Sequence, residues 1–131
     1  MINYFIKYKI IFYFSNFILM LEYLFPGSLL GCIIFKNCKL QPQITPDYLI
    51  STNHLYSFLI LSTIGFLTYK NSEKIRYLYV YLIIISFFLE LFHNFIPNRS
   101  FEYSDLFGNL AGVIIGIIGF NLFKKYENHK N

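Results

Sequence analysis

The chain has 131 residues, of which 56% are hydrophobic, 21% aromatic and only 14% charged. Soluble domains carry roughly 25% charged residues, so this composition excludes an ordinary soluble protein and predicts a single all-α membrane domain over residues 1–131. The net charge of +4 comes from Lys and Arg residues scattered at the ends of apolar runs, and we predict no nucleic-acid partner.

Four apolar runs predict a four-span transmembrane helical bundle embedded in membrane lipids, with spans at about 10–25, 54–69, 77–96 and 106–123. The first run ends at the helix-breaking pair Pro26-Gly27. The apolar patch 28–35 is too short to span, and we expect it at the interface. The polar segment 37–53 is predicted to be a loop, and residues 124–131 a polar tail.

Two local features near the first run leave alternatives. Leu29-Leu30-Gly31-Cys32 only faintly resembles a lipoprotein cleavage box because bulky Leu30 precedes the glycine, so we expect an uncleaved first span. Cys32 and Cys38 have no metal-type spacing. They could form a disulfide on an oxidising side of the membrane, but two free thiols are the expectation.

The distribution of basic residues predicts the orientation. Eight of the Lys and Arg residues lie in the two terminal segments and in the 70–76 turn, and three lie on the opposite side. Positively charged residues favour the cytoplasmic side, so both termini are predicted to be cytoplasmic. The loop 37–53 and the segment around Arg99 then face outward.

Gly112 and Gly116 on the fourth run form a small-xxx-small pattern, which lets two helices approach closely. The partner could be another span or a second copy, and the oligomeric state is not predicted. We expect packing within the chain.

The segment 90–112 concentrates polar residues between two apolar runs, where such residues are costly. Glu90 and His93 share a helix face and could ligate a metal with His54 as the third ligand. The simpler interpretation is hydrogen bonding or ion pairing inside the bundle. We predict no metal and no cofactor.

Arg99 suits the recognition of an anionic group, but an internal ion pair with Glu90, Glu102 or Asp105 is the expected alternative. Asp105, or Ser104 before it, is predicted to cap the fourth helix. Asn109 lies one turn further into the membrane and needs a polar partner there. The residues expected to converge near one level are His54, Glu90, His93, Arg99, Asp105 and Asn109.

The pattern E-x-x-H-x-x-x-P-x-R-S-F-E-x-x-D-L-x-x-N-x-x-G over 90–112 resembles the signature of VanZ-like membrane proteins. The matching residues are Glu90, Pro97, Arg99, Ser100, Asp105, Asn109 and Gly112. The chain departs from the family pattern at two places. His93 stands where the family has Gln, and Ile50-Ser51 stands where an Asp-Lys pair precedes the His of the second span.

The resemblance implies a multi-pass protein of the bacterial cytoplasmic membrane that acts on or near the cell envelope, in a family linked to resistance to the glycopeptide teicoplanin. Three hypotheses follow. The polar cluster binds an anionic envelope component through Arg99; or the chain is a small membrane hydrolase or transferase with Glu90 or His93 as general base; or the cluster is only an internal network.

Overall fold

The chain folds into five α-helices in a computed structural model that describes the backbone of residues 2–130 and the side chains of residues 8–130. No strand occurs among the described residues. The helices are α1 (Ile2–Leu24), α2 (Leu29–Phe35), α3 (Thr52–Tyr69), α4 (Ile75–Phe92) and α5 (Tyr103–Lys130). A short 3-10 turn, His93–Phe95, extends α4. The prediction of an all-α chain is confirmed.

Two helices are long and apolar enough to cross a membrane, namely α4 with its 3-10 turn (Ile75–Phe95) and α5. A third span is possible if Tyr8–Leu24 and Leu29–Phe35, which meet at an angle of 83°, form one bent element. Helix α3 has 18 residues but is more polar, with Thr52, Asn53 and His54 in its first turn. The chain is therefore a helical protein with two or three candidate membrane spans.

Helix α3 lies at the centre of the bundle and packs against α1, α4 and α5. The side chains of Phe58, Leu61 and Phe66 on α3 are almost completely buried, and so are Leu82 on α4 and Val113 on α5. Many other large apolar side chains of α4 and α5 are exposed. Such an apolar exterior is typical of a surface that contacts lipid rather than water.

Three glycines allow α5 to pack closely on α3. A Cβ atom at Gly108 would collide with Ser51 O, just before α3. A Cβ atom at Gly112 would collide with Leu55 O, and one at Gly116 with the Ser62 hydroxyl, both on α3. The predicted packing role of Gly112 and Gly116 within the chain is thus confirmed, and Gly108 extends the pattern by one turn.

Helix α1 ends before Gly27, which has the left-handed φ of 93° that favours glycine. Ser28 then caps α2 because its hydroxyl accepts a hydrogen bond from Gly31 N at 3.0 Å. Lys36, with φ 53°, ends α2 and turns the chain back on it. This turn brings Cys38 to Cys32, and the two form a disulfide. The expectation of two free thiols is therefore wrong.

The polar tail predicted at 124–131 is helical as far as Lys130, because α5 continues into it without a break. Lys and Glu are strong helix formers, so a charged segment can continue a helix into water. The Lys70 ammonium, in the turn between α3 and α4, bonds Glu127 Oε1 at 3.1 Å and ties the extension to the bundle.

Candidate functional site

A buried cluster of polar side chains lies where α3 and α5 begin and where α1 and α4 end. Its members are Tyr23, His54, Glu90, His93, Asp105 and Asn109. All of them except Asp105 are buried. Because polar groups are costly to bury without hydrogen bonds, the contacts within the cluster determine what it can do.

His54 contacts Tyr23, Asn109 and Asp105, and its Nδ1 also lies 3.8 Å from Glu90 Oε2. Its Nδ1 atom lies 3.0 Å from the Tyr23 hydroxyl and 3.1 Å from Asn109 Oδ1. The Tyr23 hydroxyl donates its single hydrogen to Asn109 Oδ1, so His54 Nδ1–H is the donor toward Tyr23. The other ring nitrogen, Nε2, faces Asp105 Oδ2 at 3.4 Å.

Asn109 has the polar partners that its position one turn into the helix requires. Its amide donates to Ser86 O at 3.0 Å, and its oxygen accepts from Tyr23. Asn109 therefore joins α5 to α1 and α4 at the cluster.

Glu90 is completely buried, and its two oxygens differ. Oε1 accepts a hydrogen bond from Glu102 N at 3.0 Å and lies 3.2 Å from His93 Nδ1. Oε2 has no hydrogen-bond partner among the described residues and lies 3.8 Å from His54 Nδ1. The His93 ring is stacked on Tyr23. Its Nε2 donates to Tyr23 O at 3.2 Å, and its Nδ1 is the nitrogen that faces Glu90.

Asp105 occupies the first turn of α5, which begins at Tyr103, three residues before the predicted run 106–123. Glu102 therefore precedes the helix, and its backbone carbonyl accepts hydrogen bonds from Asp105 N and Leu106 N. The predicted cap at Asp105 or Ser104 is wrong, although a carboxylate in the first turn still meets the favourable end of the helix dipole. The Asp105 side chain points to His54.

Arg99 lies beside the cluster, between α4 and α5. Its Nη2 donates to Glu22 O at 3.0 Å and its Nε donates to Phe25 O at 3.4 Å, so it binds carbonyls at the end of α1. No carboxylate of the described residues lies within 4.0 Å of the guanidinium, and the expected internal ion pair is wrong. Burial lowers the pKa of Arg99, and the charge of Asp105 opposes that change; the group stays cationic.

Arg99 forms part of the wall of two cavities. The first has a volume of about 320 Å³, and its wall includes Tyr23, His54 and Glu22 together with apolar side chains such as Ile34. The second has a volume of about 370 Å³ and is lined by Gly27, Ser28, Cys38, Lys39, Gln41, Asn98 and Arg99. The second cavity thus has two cationic residues and no carboxylate in its wall.

The predicted convergence of polar residues is largely present in the structure. His54, Glu90, His93, Asp105 and Asn109 meet in the buried cluster. Arg99 instead faces the cavities. Glu90 and His93 belong to the network but line neither cavity.

Tyr23 is the member of the cluster that the sequence did not predict. A tyrosine near the end of an apolar run is typical of an interfacial anchor, and the chain has 12 tyrosines. One signal was present: Tyr23 is adjacent to Glu22, a charged residue inside the first apolar run, and this pair marks a polar surface on α1.

No protein-family model, no curated protein and no solved structure matches this chain. The resemblance to VanZ-like proteins therefore rests on the residues of the 90–112 segment, and the family stays a prediction.

Proposed function

We propose that this chain is a VanZ-like integral membrane protein of the bacterial cell envelope, and that it binds an anionic envelope component at Arg99. In this proposal four helices span the cytoplasmic membrane, both termini are cytoplasmic, and the cluster end of the bundle faces outward. The ligand is a lipid with a phosphate head group. The observation that carries the proposal is a cationic cavity wall, formed by Arg99 and Lys39, that contains no carboxylate.

The hydrogen bonding of Arg99 supports an anion contact. A guanidinium has five N–H groups, and two of those of Arg99 are used on the carbonyls of Glu22 and Phe25. These two bonds hold the planar group in one orientation. The other three make no hydrogen bond to the described residues, and phosphate oxygens are suited to accept from them.

The first cavity supports a ligand with an acyl or isoprenyl chain. Leu30, Ile34 and Ile44 line it on the side of α2, and Arg99 is shared with the cationic cavity. Leu30 and Ile34 are also about half exposed at the surface of α2. A lipid could place its phosphate at Arg99 and Lys39 while its first methylene groups contact this apolar wall.

Two observations support the outward orientation. The disulfide between Cys32 and Cys38 borders the cationic cavity, and disulfides persist on the oxidising side of a membrane. The excess of basic residues lies at the opposite end of the bundle, in the 70–76 turn and in the last turns of α5.

Lipid binding by the purified protein in neutral detergent tests the proposal. We expect phosphatidylglycerol to bind, measured by native mass spectrometry, and diacylglycerol of the same chain length not to bind. Arg99→Ala should weaken phosphatidylglycerol binding about 10- to 100-fold, since a charge-assisted hydrogen bond contributes roughly 1.5–3 kcal/mol. Lys39→Ala should weaken it less, about 3- to 10-fold, because Lys acts as a mobile point charge.

Arg76→Ala is the matched control, because Arg76 is an exposed arginine at the other end of the bundle. It should bind phosphatidylglycerol as the unchanged protein does. Arg99→Ala could also impair folding, because Arg99 stabilises the end of α1. Lys39→Ala does not have this problem, because the Lys39 side chain is exposed. If Arg99→Ala and Lys39→Ala, both folded, bind the lipid as tightly as the Arg76 variant, the proposed anion site is wrong.

The link to glycopeptides, implied by the family, is tested in cells. We expect cells that express the intact chain to grow at a higher teicoplanin concentration than cells that express Arg99→Ala at the same level. Equal growth of the two strains would contradict a role of this site in resistance.

One observation favours a second candidate function, a small membrane enzyme acting on a lipid-linked substrate. His54 lies in the wall of the first cavity, whereas Glu90 and His93, the bases suggested by the sequence, do not reach it. His54 is thus the residue placed to accept a proton from a bound substrate. Hydrolysis of a lipid diphosphate by the purified protein, lost in His54→Gln, would favour the enzyme over a binding protein.

A further inference from the structure

We propose that His54, Glu90 and Asp105 form a binding site for one divalent transition-metal ion of the Zn²⁺ class. One ring nitrogen of His54 and one oxygen of each carboxylate lie within 4.8 Å of one another. The site joins α3, α4 and α5 and departs from the prediction of no metal. The ligand set also differs from the one considered in the sequence, since Asp105 takes the place of His93.

The first support comes from Glu90 Oε2, an oxygen on a completely buried side chain with no hydrogen-bond partner among the described residues. A buried carboxylate oxygen without a partner is rare because its desolvation is uncompensated. This oxygen lies 3.8 Å from His54 Nδ1, so the His54 ring must shift for its Nε2 and this oxygen to bind the same ion. A bound cation would supply the missing partner.

The second support comes from the hydrogen bonding of His54. Its Nδ1–H is used on Tyr23, so in the neutral ring the lone pair is on Nε2, which faces Asp105 Oδ2 at 3.4 Å. A lone pair and a carboxylate oxygen repel each other unless a cation or a proton lies between them. Metal-bound histidines usually have this arrangement, with the other ring nitrogen donating to a fixed acceptor.

The distances suit a small divalent ion. Ligand atoms about 2.1 Å from a tetrahedral Zn²⁺ lie about 3.4 Å apart, which matches the distance between His54 Nε2 and Asp105 Oδ2. The full set must contract by at most about 1.4 Å from its limit of 4.8 Å. Two carboxylates and a neutral imidazole also balance the charge of a divalent ion.

The groups around the ligands hold them in position. Glu102 N–H binds Glu90 Oε1, and His93 Nδ1 lies 3.2 Å from the same oxygen. The other oxygen, Oε2, lies 3.8 Å from His54 Nδ1. Tyr23 and Asn109 hold His54. Such contacts around the ligands typically change metal affinity 10- to 100-fold when they are removed.

Metal analysis of the purified full-length protein tests this site. The protein in detergent is stripped with EDTA, incubated with ZnSO₄ and passed through a desalting column. We expect about one Zn²⁺ per chain by mass spectrometry of the metal, and visible d–d absorption when Co²⁺ replaces Zn²⁺. Asp105→Asn and Glu90→Gln should each lower the Zn²⁺ affinity at least 100-fold, and His93→Gln about 10- to 100-fold.

Glu102→Gln is the control, since its side chain is exposed and only its backbone N–H contacts Glu90. It should keep full Zn²⁺ binding. Asp105→Asn is the variant least expected to misfold, because Asp105 is partly exposed and the change keeps the shape. The melting temperature with and without Zn²⁺ checks folding, and it should rise with Zn²⁺ in the intact protein but not in Asp105→Asn.

Two outcomes would overturn the proposal: no Zn²⁺ retained by the intact protein, or equal Zn²⁺ in Asp105→Asn, Glu90→Gln and the control. Either result would indicate that a proton on His54 Nε2 bonds Asp105 instead. The metal site is independent of the anion site at Arg99, so the Arg99→Ala protein should still bind Zn²⁺. Failure of one proposal therefore leaves the other unaffected.

Discussion

Asp47 stabilises the first turn of α3 from a distance of five residues. Its carboxylate accepts hydrogen bonds from Thr52 N at 2.7 Å, from the Thr52 hydroxyl at 3.0 Å and from Gln43 at 2.8 Å. Slight burial acts to raise the pKa of Asp47, but these hydrogen bonds outweigh it and the pKa is lower than the usual 3.8. Ser51, which precedes α3, makes no capping bond with its side chain, so Asp47 performs that role.

The depressed pKa of Asp47 predicts a loss of stability in acid. The folded protein holds the proton less tightly than the unfolded chain, so the stabilisation is complete above the usual pKa of 3.8 and disappears as the pH falls through the lower folded value. At pH 7, Asp47→Asn should lower the free energy of unfolding by about 1 kcal/mol, and the melting temperature should fall accordingly. The difference from the unchanged protein should then shrink below about pH 4.

Glu73→Gln is the control for this measurement, because Glu73 is an exposed carboxyl at the opposite end of α3. It should change stability little at any pH. A difference between Asp47→Asn and the unchanged protein that stays constant from pH 7 to pH 3 would contradict the role of Asp47.

At the level of single residues, the types of the site residues could be predicted but their pairing could not. His54, Glu90 and Asn109 are costly in an apolar run, and that cost identifies them in the sequence. The partner of Arg99 could not be predicted, because backbone carbonyls at a helix end have no signature in the side chains. Tyr23 was missed for a related reason: its ring resembles that of any interfacial tyrosine until its hydroxyl is located.

At the level of helices, the packing of α5 on α3 depends on the absence of side chains. A Cβ atom at Gly112 would overlap Leu55 O and would lie 2.9 Å from Leu59 N, and both are backbone atoms that cannot rotate away. At Gly119, two turns further along α5, nothing lies within 4 Å. The two glycines therefore form a matched pair for substitution.

Gly112→Ala should destabilise the protein by about 1–3 kcal/mol, because α3 and α5 must separate or bend to admit the methyl group. Gly119→Ala should be neutral or stabilising by up to about 1 kcal/mol, since alanine favours a helix and finds open space. Melting temperatures of both variants in the same detergent give the comparison. Equal melting temperatures for the two variants would contradict the close packing at Gly112.

The helix positions could be predicted well from apolar runs, but helix ends could not. The run 106–123 indicated α5, yet the helix begins at Tyr103 and continues to Lys130. Hydropathy reports where lipid can be, whereas hydrogen bonding and helix propensity determine where a helix stops. The disulfide was missed because the left-handed turn at Lys36 brings its cysteines together, and lysine is not a residue that signals such a turn.

At the level of the whole molecule, the two ends of the bundle differ in chemistry. One end has the disulfide, the two cavities bordered by Arg99 and the buried cluster, and the other has the 70–76 turn and the charged last turns of α5. The proposed orientation makes the first end extracytoplasmic. This orientation predicts which cysteines a membrane-impermeant reagent can label in an intact cell.

Cys32 and Cys38 should react with a membrane-impermeant maleimide in intact cells after mild reduction. Asn71→Cys, made in a chain with both native cysteines replaced by serine, should react only after lysis, because residue 71 is exposed in the turn at the other end. Labelling is read by the mass of the purified chain. The opposite orientation would be indicated if Asn71→Cys reacted in intact cells while Cys32 and Cys38 of the native chain did not.

The contact of Arg99 with Glu22 O and Phe25 O has a consequence for synthesis of the chain. The donors are 77 and 74 residues after their acceptors, so the end of α1 cannot be completed when it leaves the ribosome. At about 5–20 residues per second, translation reaches Arg99 some 4–15 seconds later. Until then the last carbonyls of α1 must be satisfied by water or by the insertion machinery. The end of α1 is therefore completed only after the connection between the last two helices has been made.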